Sequence, residues 1–224
     1  MNAMLGVQVF QAIRTLSCVA FLSLLMLFAG CATQTRPSTT TLPPSPSTPA
    51  KELNEQRRQA LTAIRHWSFK GRAAVQRGNE GWSATLHWDQ HEDAYRLRMI
   101  APLGRGTYEV LKQNGGVSLI DPTNNVFKAG SPEELLAENL GWNLPISDIE
   151  FWVRGLLAPG PAPTQLDLDE GGLLKDFAVR GWRVSVLDYF WKDSIAMPRK
   201  LFINYGDMKI RLVISKWDLG ADGS

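Results

Sequence analysis

Two histidines four residues apart are the first candidates for chemistry in this chain of 224 residues. His87 and His91 stand in the segment HWDQHED. On a helix, side chains at this spacing share a face and could together hold a metal ion. On a strand, the same pair would be separated by about 13 Å, at roughly 3.3 Å per residue. Because Trp82, Leu86 and Trp88 alternate with polar residues around the first histidine, we expect a strand and no metal site.

The rest of the chain carries no recognisable catalytic signature. It has neither a Gly-Xaa-Ser-Xaa-Gly elbow nor a glycine-rich phosphate loop. The acidic residues are scattered, and Asp167, Asp169 and Glu170 alternate with leucines as an exposed edge or loop would. The net charge is only +2 and the basic residues form no cluster, so the sequence does not indicate a nucleic-acid-binding surface. We therefore predict no catalytic residue, no metal, no cofactor and no nucleic-acid partner, and a protein that is not an enzyme.

The two cysteines indicate a different kind of chemistry. Cys18 lies inside an apolar run from Leu16 to Ala29, and Cys31 follows that run closely. As a helix the run would be roughly 20 Å long, too short for a hydrocarbon core of about 30 Å. Its end, FAGC, resembles the lipobox of bacterial lipoproteins, whose cysteine receives a diacylglycerol. We predict a lipoprotein signal peptide over residues 1–30 and an N-acyl diacylglycerol on Cys31; a plain signal peptide or an uncleaved anchor is the alternative.

A polar tether and one folded domain follow this junction. Residues 31–50 are mostly Thr, Ser and Pro, a composition that cannot bury enough apolar surface to offset the entropy of ordering. Residues 51–224 are enough for one core and too few for two domains of ordinary size. We therefore predict a single folded domain over residues 51–224, held away from a membrane by the tether.

The period of the apolar residues predicts a helix followed by many strands. A helical stripe from Leu53 to Trp67 opens the domain, and apolar and polar residues then alternate in a series of short runs. Turn residues such as Asn114-Gly115 separate these runs, so neighbouring strands should pair antiparallel. A further helix should begin at Ser131, with a proline and two glutamates in its first turn, and another should span residues 147–157.

The predicted fold class is mainly β with helices (α+β). We expect about nine to eleven antiparallel strands and about three helices. Because each strand is rotated by roughly 20 to 25° against the next, so large a sheet curls into an incomplete barrel. Eight tryptophans lie in the predicted domain. Composition alone favours a large aromatic core, and the alternative is a cavity lined by flat faces that accommodate alkyl chains.

An ordered set of segments carries a family resemblance: FKGRAAV, WSATLHWDQHEDAYRLRMIAPLGRGTYEV, LGWNLPISDIEFWVRGL, GWRVSVLDYF and MPRKLFINYGDMKIRLVISKW. Together with the cysteine junction and the tether, these segments resemble the LolB family, the outer-membrane lipoprotein receptors of Gram-negative bacteria. The resemblance covers nearly the whole chain after the cysteine. It implies an incomplete antiparallel β-barrel closed by helices over an apolar cavity.

The resemblance also implies a function and a location. LolB proteins accept acylated lipoproteins from the periplasmic carrier LolA and release them into the inner leaflet of the outer membrane. No covalent chemistry is involved. The expected partners are therefore LolA, acylated lipoproteins and outer-membrane lipid. The expected location is the periplasmic face of the outer membrane, held by the lipid anchor.

The family's functional positions match particular residues of this chain. In the family, the leucine of a Pro-Leu-Gly turn is an exposed apolar tip needed for delivery, and Leu103 occupies that position. The family's tryptophans match four of the eight here, and two apolar residues of a predicted strand join them. The predicted lining of the acyl-chain cavity is therefore Trp88, Leu97, Met99, Trp152, Trp182 and Trp217.

Two other functions stay open on the sequence. An outer-membrane lipoprotein that serves as a scaffold or assembly factor would bind protein at its sheet edge and would have a solid core. A lipocalin-like carrier would bind a small apolar ligand, and a free fatty acid would then compete with an acylated lipoprotein. The receptor differs from the scaffold because its interior must admit fatty chains.

Overall fold

The structure is a computed structural model that describes residues 48–113 and 115–220. The predicted signal peptide, Cys31 and the tether up to residue 47 lie outside the described residues. The described part contains three α-helices and eleven β-strands. In chain order they are α1 (Thr48–Ala63), β1 (His66–Arg77), β2 (Glu80–His91), β3 (Ala94–Ile100), β4 (Thr107–Gln113), β5 (Gly116–Ile120), β6 (Val126–Ala129), α2 (Pro132–Leu140), α3 (Ile146–Trp152), β7 (Gln165–Leu168), β8 (Leu174–Val179), β9 (Trp182–Lys192), β10 (Ile195–Tyr205) and β11 (Met208–Leu219).

One antiparallel sheet of 11 strands contains every strand, in the order β6-β5-β4-β3-β2-β1-β11-β10-β9-β8-β7. The first and last strands pair at its centre, where Phe69 of β1 lies opposite Trp217 of β11. The edge strands β6 and β7 are not neighbours in this order, so the sheet is open rather than closed. The predicted incomplete antiparallel barrel, its number of strands and its three helices are confirmed for the described residues.

The chain crosses from one edge of the sheet to the other through α2 and α3. β6 ends at Ala129 and β7 begins at Gln165, so the segment between them has to pass over the sheet. Leu135 and Leu136 of α2 and Trp152 of α3 are fully buried in the same core as the inward-facing strand residues. The crossing therefore covers the inner face of the sheet with helices.

The predicted start of α2 is confirmed in atomic detail. The Ser131 hydroxyl accepts a hydrogen bond from the Glu134 backbone N–H at 3.1 Å, and Pro132 occupies the first helical position. Gly141 ends the helix with φ 67°, the left-handed conformation that favours glycine. Local sequence is sufficient to set both ends of this helix.

Two other helix ends differ from the prediction. The apolar stripe of α1 was predicted to reach Trp67, where the alternation of the first strand was also predicted to begin. Helix α1 ends at Ala63, and Trp67 lies in β1, with its ring 5.7 Å from that of Trp88 on the next strand. Tertiary packing of the indole outweighs the helical spacing. The helix predicted over residues 147–157 ends at Trp152, and Gly155 shortly after it has φ 68°.

Helix α1 is attached to the sheet by buried polar contacts. The Arg57 guanidinium donates to the carbonyl oxygens of Gly155 (2.7 Å), Arg154 (2.8 Å) and Ala196 (2.7 Å). It also lies 5.7 Å from the ring centre of Tyr189. Burial lowers the pKa of Arg57 from its ordinary value. These contacts fix α1 against β9, β10 and the loop after α3.

The strand ends define two ends of the sheet. We call the end with the β1–β2, β3–β4, β5–β6, β8–β9 and β10–β11 turns the tip end, because the β3–β4 turn carries Leu103. The opposite end carries the β2–β3, β4–β5, β7–β8 and β9–β10 turns and the start of β1. The candidate site extends from the interior to the tip end.

Candidate functional site

All six residues predicted to line an acyl-chain cavity lie in the interior between the sheet and the helices. They belong to a single hydrophobic core, and each is at most 8 % exposed. Their positions are β2 for Trp88, β3 for Leu97 and Met99, α3 for Trp152, β9 for Trp182 and β11 for Trp217. The structure therefore brings together residues that are up to 129 positions apart in the chain, since 217 − 88 = 129.

Four aromatic rings at the centre of the sheet form the first part of this core. Trp88 and Trp217 both contact Phe69, with ring centres 6.1 and 5.2 Å apart, and both contact Trp67 at 5.7 Å. The Trp217 indole N–H donates to the carbonyl oxygen of Pro198 at 2.9 Å. This bond satisfies the one polar group of the ring, so the remaining surface of the side chain is apolar.

A second aromatic group joins α3 to the sheet. The Trp152 ring lies 5.9 Å from Phe177 and 6.1 Å from Trp182, and Trp182 in turn stacks on Tyr205 at 4.9 Å. The Trp152 indole nitrogen is buried without a hydrogen-bond partner. The Trp152 ring thus packs against aromatic side chains of β8 and β9.

Within the described part of the chain, these rings are shielded from solvent. Side chains that border an open cavity present surface to solvent, but Trp88, Trp152 and Leu97 are only 1, 0 and 3 % exposed. At protein packing density, a chain of methylene groups could not enter here unless side chains or a helix moved. If the interior takes up acyl chains, it has to open.

A cleft of about 420 Å³ at the tip end is the candidate opening, and we call it the mouth. Its apolar walls are Val75, Trp82, Trp142 and Met208, and Arg77, Glu80 and Gly81 complete the lining. Trp82 and Trp142 contact each other edge to face, with ring centres 4.5 Å apart. Both rings are half-buried, so the mouth lies between the closed core and solvent.

Sequence reasoning did not assign Trp82 or Trp142 to the site. Trp82 belongs to the same alternating run as Trp88, and Trp142 lies in the segment LGWNLPISDIEFWVRGL. The alternation placed Trp82 on the same strand face as Trp88 but could show neither which face points inward nor that Trp82 lies at the rim. Only the path of the α2–α3 connection brings Trp142 over the end of β2.

Leu103 protrudes from the β3–β4 turn at the tip end. Its side chain is 93 % exposed, and its backbone has φ 58° and ψ 35°, the left-handed conformation that L-residues rarely adopt. For an ordinary residue this conformation costs about 1 to 2 kcal/mol. An apolar side chain is therefore displayed to solvent at a conformational cost, a combination typical of functional sites.

The turn that displays Leu103 is tightly constrained. The Ala101 N–H donates to the Gly106 carbonyl at 3.0 Å, and the Arg105 N–H donates to the Pro102 carbonyl at 3.3 Å. Gly106 has φ 101°, and a Cβ atom there would come within 2.3 Å of Pro122 in the β5–β6 turn. Glycine is therefore required for the two neighbouring turns to approach each other.

A buried polar cluster lies below the core, towards the opposite end. Gln90 accepts a hydrogen bond from the Trp88 indole N–H at 2.9 Å and donates to Glu150 at 3.3 Å. Burial raises the pKa of Glu150 and lowers the pKa of Arg154 from their ordinary values. The Arg154 guanidinium lies 5.2 Å from the ring centre of Trp67. This cluster ties α3 to β2 and gives the interior a polar floor.

The histidine pair lies on a strand, as predicted. β2 runs from Glu80 to His91, and the His91 ring contacts His66, with centres 5.3 Å apart. Across residues 48–113 and 115–220, no three His, Cys, Asp or Glu side chains gather in a way that could hold a metal ion. The same residues include no helix with the length and apolar character needed to cross a bilayer.

Comparison with known sequences relates the chain to one family. The family model described as outer membrane lipoprotein LolB matches residues 65–217. An outer-membrane lipoprotein LolB from Nitrosococcus oceani is 36 % identical over 196 residues, which is 88 % of this chain and 94 % of the relative. The protein of the same name from Chromohalobacter salexigens is 34 % identical over 205 residues, covering 90 % of each chain.

Two solved structures share the fold at low sequence identity. A LolA superfamily protein from Nitrosomonas europaea superimposes with a TM-score of 0.52 at 10 % identity, over 76 % of this chain and 93 % of the other. A DUF1329 family protein from Desulfovibrio piger gives a TM-score of 0.50, also at 10 % identity, over 81 % of this chain and 96 % of the other. At such identity the likeness concerns the fold alone.

Proposed function

Because this chain belongs to the LolB family of outer-membrane lipoproteins, we propose that it is a receptor that takes acylated lipoproteins from a periplasmic carrier and inserts them into the outer membrane. The observation that carries the proposal is Leu103, an exposed apolar side chain in a constrained left-handed turn at the end of an aromatic interior. Transfer of this kind breaks no covalent bond and needs no catalytic residue.

The energetics of acyl chains explain why such a receptor is needed. Each methylene group removed from water contributes about 0.8 kcal/mol, so the acyl chains of a lipoprotein strongly resist crossing an aqueous space. An apolar route from carrier to bilayer removes that barrier. In this chain the route would be the interior that contains Trp88, Trp152, Trp182 and Trp217. Cargo moves forward if this interior holds the chains more strongly than the carrier does and the bilayer holds them more strongly still.

The mouth is the proposed entrance. Opening it requires the α2–α3 connection to move away from β1 and β2. That movement would break the Trp82–Trp142 contact and the hydrogen bond from Arg77 to the Gly141 carbonyl at 3.3 Å. Each contact is worth about 0.5 to 1.5 kcal/mol. Leu144 of the same connection is also buried, and exposing such a side chain fully costs about 1.5 to 3 kcal/mol. Cargo that binds the open interior would offset these costs.

Leu103 is the proposed point of membrane entry. Burying a leucine side chain in hydrocarbon contributes about 1.5 to 3 kcal/mol, enough to direct one end of the domain to the leaflet but too little to anchor it. Because the mouth lies at the same end as Leu103, acyl chains that leave it would emerge next to the lipid. The turn that carries Leu103 thus determines that cargo is released towards the membrane.

The anchor is the proposed diacylglycerol and N-acyl group on Cys31, which hold the chain on the periplasmic face. A lipid anchor and a polar tether would let the domain meet a carrier in the periplasm and then turn its tip to the membrane. The LolA-like fold supports direct transfer, since two related folds can offer acyl chains the same kind of interior.

A delivery assay tests the proposal. The full acylated chain is reconstituted into vesicles and mixed with a LolA carrier loaded with a fluorescent lipoprotein. We expect the fluorescence to move from the soluble fraction to the vesicles without added nucleotide. Vesicles that lack the chain are the control. The proposal is wrong if the cargo stays on the carrier, or if it enters the control vesicles equally fast.

The closed interior is the observation that favours a scaffold or assembly factor as the second candidate function. A scaffold needs no opening, so it should not take up an acyl probe at any concentration. The receptor should take up the probe and change its tryptophan emission as the aromatic core rearranges. Titration of the full chain with a fatty acyl probe therefore separates the two functions.

A further inference from the structure

A second cleft lies on the outer face of the sheet at the tip end, and we call it the outer cleft. Its volume is about 390 Å³. Residues of β1, β2 and β11 meet there with the β3–β4 turn that carries Leu103. Its lining is Ala74, Val75, Gln76, Asn79, Glu80, Gly81, Trp82, Ser83, Ala101, Pro102, Arg105, Lys209 and Arg211. The strand pairing explains this set, because Ala74 lies opposite both Arg211 and Ser83.

The outer cleft is positively charged. Arg105, Lys209 and Arg211 line it against a single carboxylate, that of Glu80. In the part of the chain that the structure describes, none of the three cations has an ion-pair partner. The Arg211 guanidinium lies 5.5 Å from the ring centre of Phe202, which supports its long side chain against the sheet. Among the described residues, the cleft thus offers three cationic donors that form no ion pair, beside one carboxylate.

The position of the outer cleft relative to Leu103 suggests its ligand. Pro102 and Arg105 line the cleft and lie one and two residues from Leu103 in the same turn. If Leu103 enters the hydrocarbon, these neighbours come to the level of the lipid phosphates. Basic residues near an anionic membrane surface each contribute about 1 kcal/mol. Guanidinium groups also match the geometry of phosphate oxygens.

We propose that the outer cleft binds the anionic headgroup of a phospholipid in the leaflet that Leu103 enters. Arg105, Lys209 and Arg211 donate to the phosphodiester oxygens, and Gln76, Asn79 and Ser83 supply neutral hydrogen-bonding groups beside them. The headgroup site rests on the proposed function in one respect, that Leu103 is the point of membrane entry. The headgroup contact orients the domain, so that the mouth faces the lipid when cargo leaves.

Protection of arginine side chains tests the headgroup contact directly. The full acylated chain is reconstituted into vesicles of phosphatidylcholine alone or of an equimolar mixture with phosphatidylglycerol. Phenylglyoxal then modifies exposed arginines, and mass spectrometry follows each site. We expect Arg105 and Arg211 to react about fivefold more slowly in the mixed vesicles, the factor that corresponds to the contribution of one basic residue near an anionic surface. Arg65, at the opposite end, should react equally in both.

Two results would overturn the proposal. Equal reaction of Arg105 and Arg211 in both kinds of vesicle would mean that the outer cleft does not select an anionic headgroup. Inorganic phosphate could also be added to the phosphatidylcholine vesicles. If it protects Arg105 and Arg211 as strongly as phosphatidylglycerol does, the outer cleft is a site for any anion and not for a lipid headgroup.

A matched pair of variants links the outer cleft to delivery. The double variant Arg105→Ser with Arg211→Ser should deliver cargo into mixed vesicles at least fivefold more slowly than the unaltered chain, and into phosphatidylcholine vesicles at an unchanged rate. The control, Arg65→Ser with Lys175→Ser, removes the same charge at the opposite end and should deliver normally into both. An equal loss in both double variants would contradict the proposal. If the unaltered chain delivers into neither kind of vesicle, the proposed function fails, while the protection experiment still decides the headgroup contact.

Discussion

Trp82 of β2 and Trp142 of the α2–α3 connection contact each other edge to face across the mouth, with ring centres 4.5 Å apart. Trp82 lies opposite Val75 in the ladder between β1 and β2, whereas Trp142 directly follows Gly141, the glycine that ends α2. Trp82 therefore belongs to the part of the interior wall that the sheet holds in place. Trp142 belongs to the segment that has to move for the interior to open.

Trp142→Ala should make the interior easier to open. An aromatic pair is worth about 0.5 to 1.5 kcal/mol, so its loss should raise the rate of acyl-probe uptake about two- to tenfold. Stopped-flow fluorescence of a fatty acyl probe measures that rate. Trp191→Ala removes a tryptophan that is 73 % exposed and does not line the mouth, and it should leave uptake unchanged. Slower or unchanged uptake in Trp142→Ala would exclude the mouth as the entrance.

Leu103→Glu should abolish delivery without unfolding the protein. The side chain is 93 % exposed, so a carboxylate there costs the fold little, but it resists entry into hydrocarbon. The delivery assay and an acyl-probe titration measure the two properties separately, and we expect only delivery to fail. Leu187→Glu, at another exposed leucine, is the matched control and should deliver cargo normally. Normal delivery by Leu103→Glu would show that the tip is not needed.

Leu103→Gly should raise stability while it lowers delivery. Leu103 has φ 58°, which glycine adopts without strain, so the free energy of unfolding should rise by about 0.5 to 1 kcal/mol. The same substitution at Leu187, inside β9, should lower it by a similar amount, because glycine weakens a strand. Urea denaturation of both variants measures the difference. A fall in stability at position 103 would show that the turn does not strain the leucine.

Arg57→Met should destabilise the attachment of α1. Three carbonyl oxygens lose their donor, those of Arg154, Gly155 and Ala196, and each unsatisfied buried acceptor costs about 1 to 3 kcal/mol. We expect the free energy of unfolding to fall by at least about 3 kcal/mol in urea denaturation. Arg58→Met, at the next residue, breaks only an exposed pair with Glu55 and should change it by less than about 1 kcal/mol. Equal effects of the two variants would contradict this role of Arg57.

Glu150→Gln should stabilise the protein at neutral pH and not in acid. Burial is the main reason that the pKa of Glu150 is raised above its ordinary 4.5 in the folded protein. Below pH 4.5 the carboxyl is protonated in both folded and unfolded chains, but stability is lost as pH rises through the folded-state pKa. The variant cannot ionise, so its advantage in urea denaturation should disappear towards pH 4.5. An advantage of Glu150→Gln that persists undiminished at pH 4.5 would contradict this explanation.

Much of the fold could be predicted because its rules are local. Alternation of apolar and polar residues indicates a strand wherever one face is buried, and the turn chemistry between short runs makes antiparallel neighbours almost unavoidable. The cap at Ser131 follows from the residues on either side of it. The helical stripe and the alternating run overlapped at Trp67, and local sequence could not separate them, because Trp67 also has ring contacts from β2 and β11, which no local window contains.

The candidate site could be predicted only in part. A period of two shows that Trp88 and Leu97 face the same side of the sheet as the core, but it cannot show whether other side chains fill the space in front of them. That depends on how far the sheet curls and on where α2 and α3 pack. The mouth and the outer cleft were not foreseen, because each is formed by residues from distant parts of the chain.

The amino-acid order alone was sufficient for the strands, the helices, the open antiparallel barrel, the exposed Pro-Leu-Gly turn and the family. These follow from interactions between residues that are close in the chain, or from the order of its segments. The closure of the interior, the contact between Trp82 and Trp142 and the gathering of Arg105, Lys209 and Arg211 beside Leu103 were decided by tertiary structure. The packing of the interior and the clustering of charges depend on the spatial distances between residues that are far apart in the sequence.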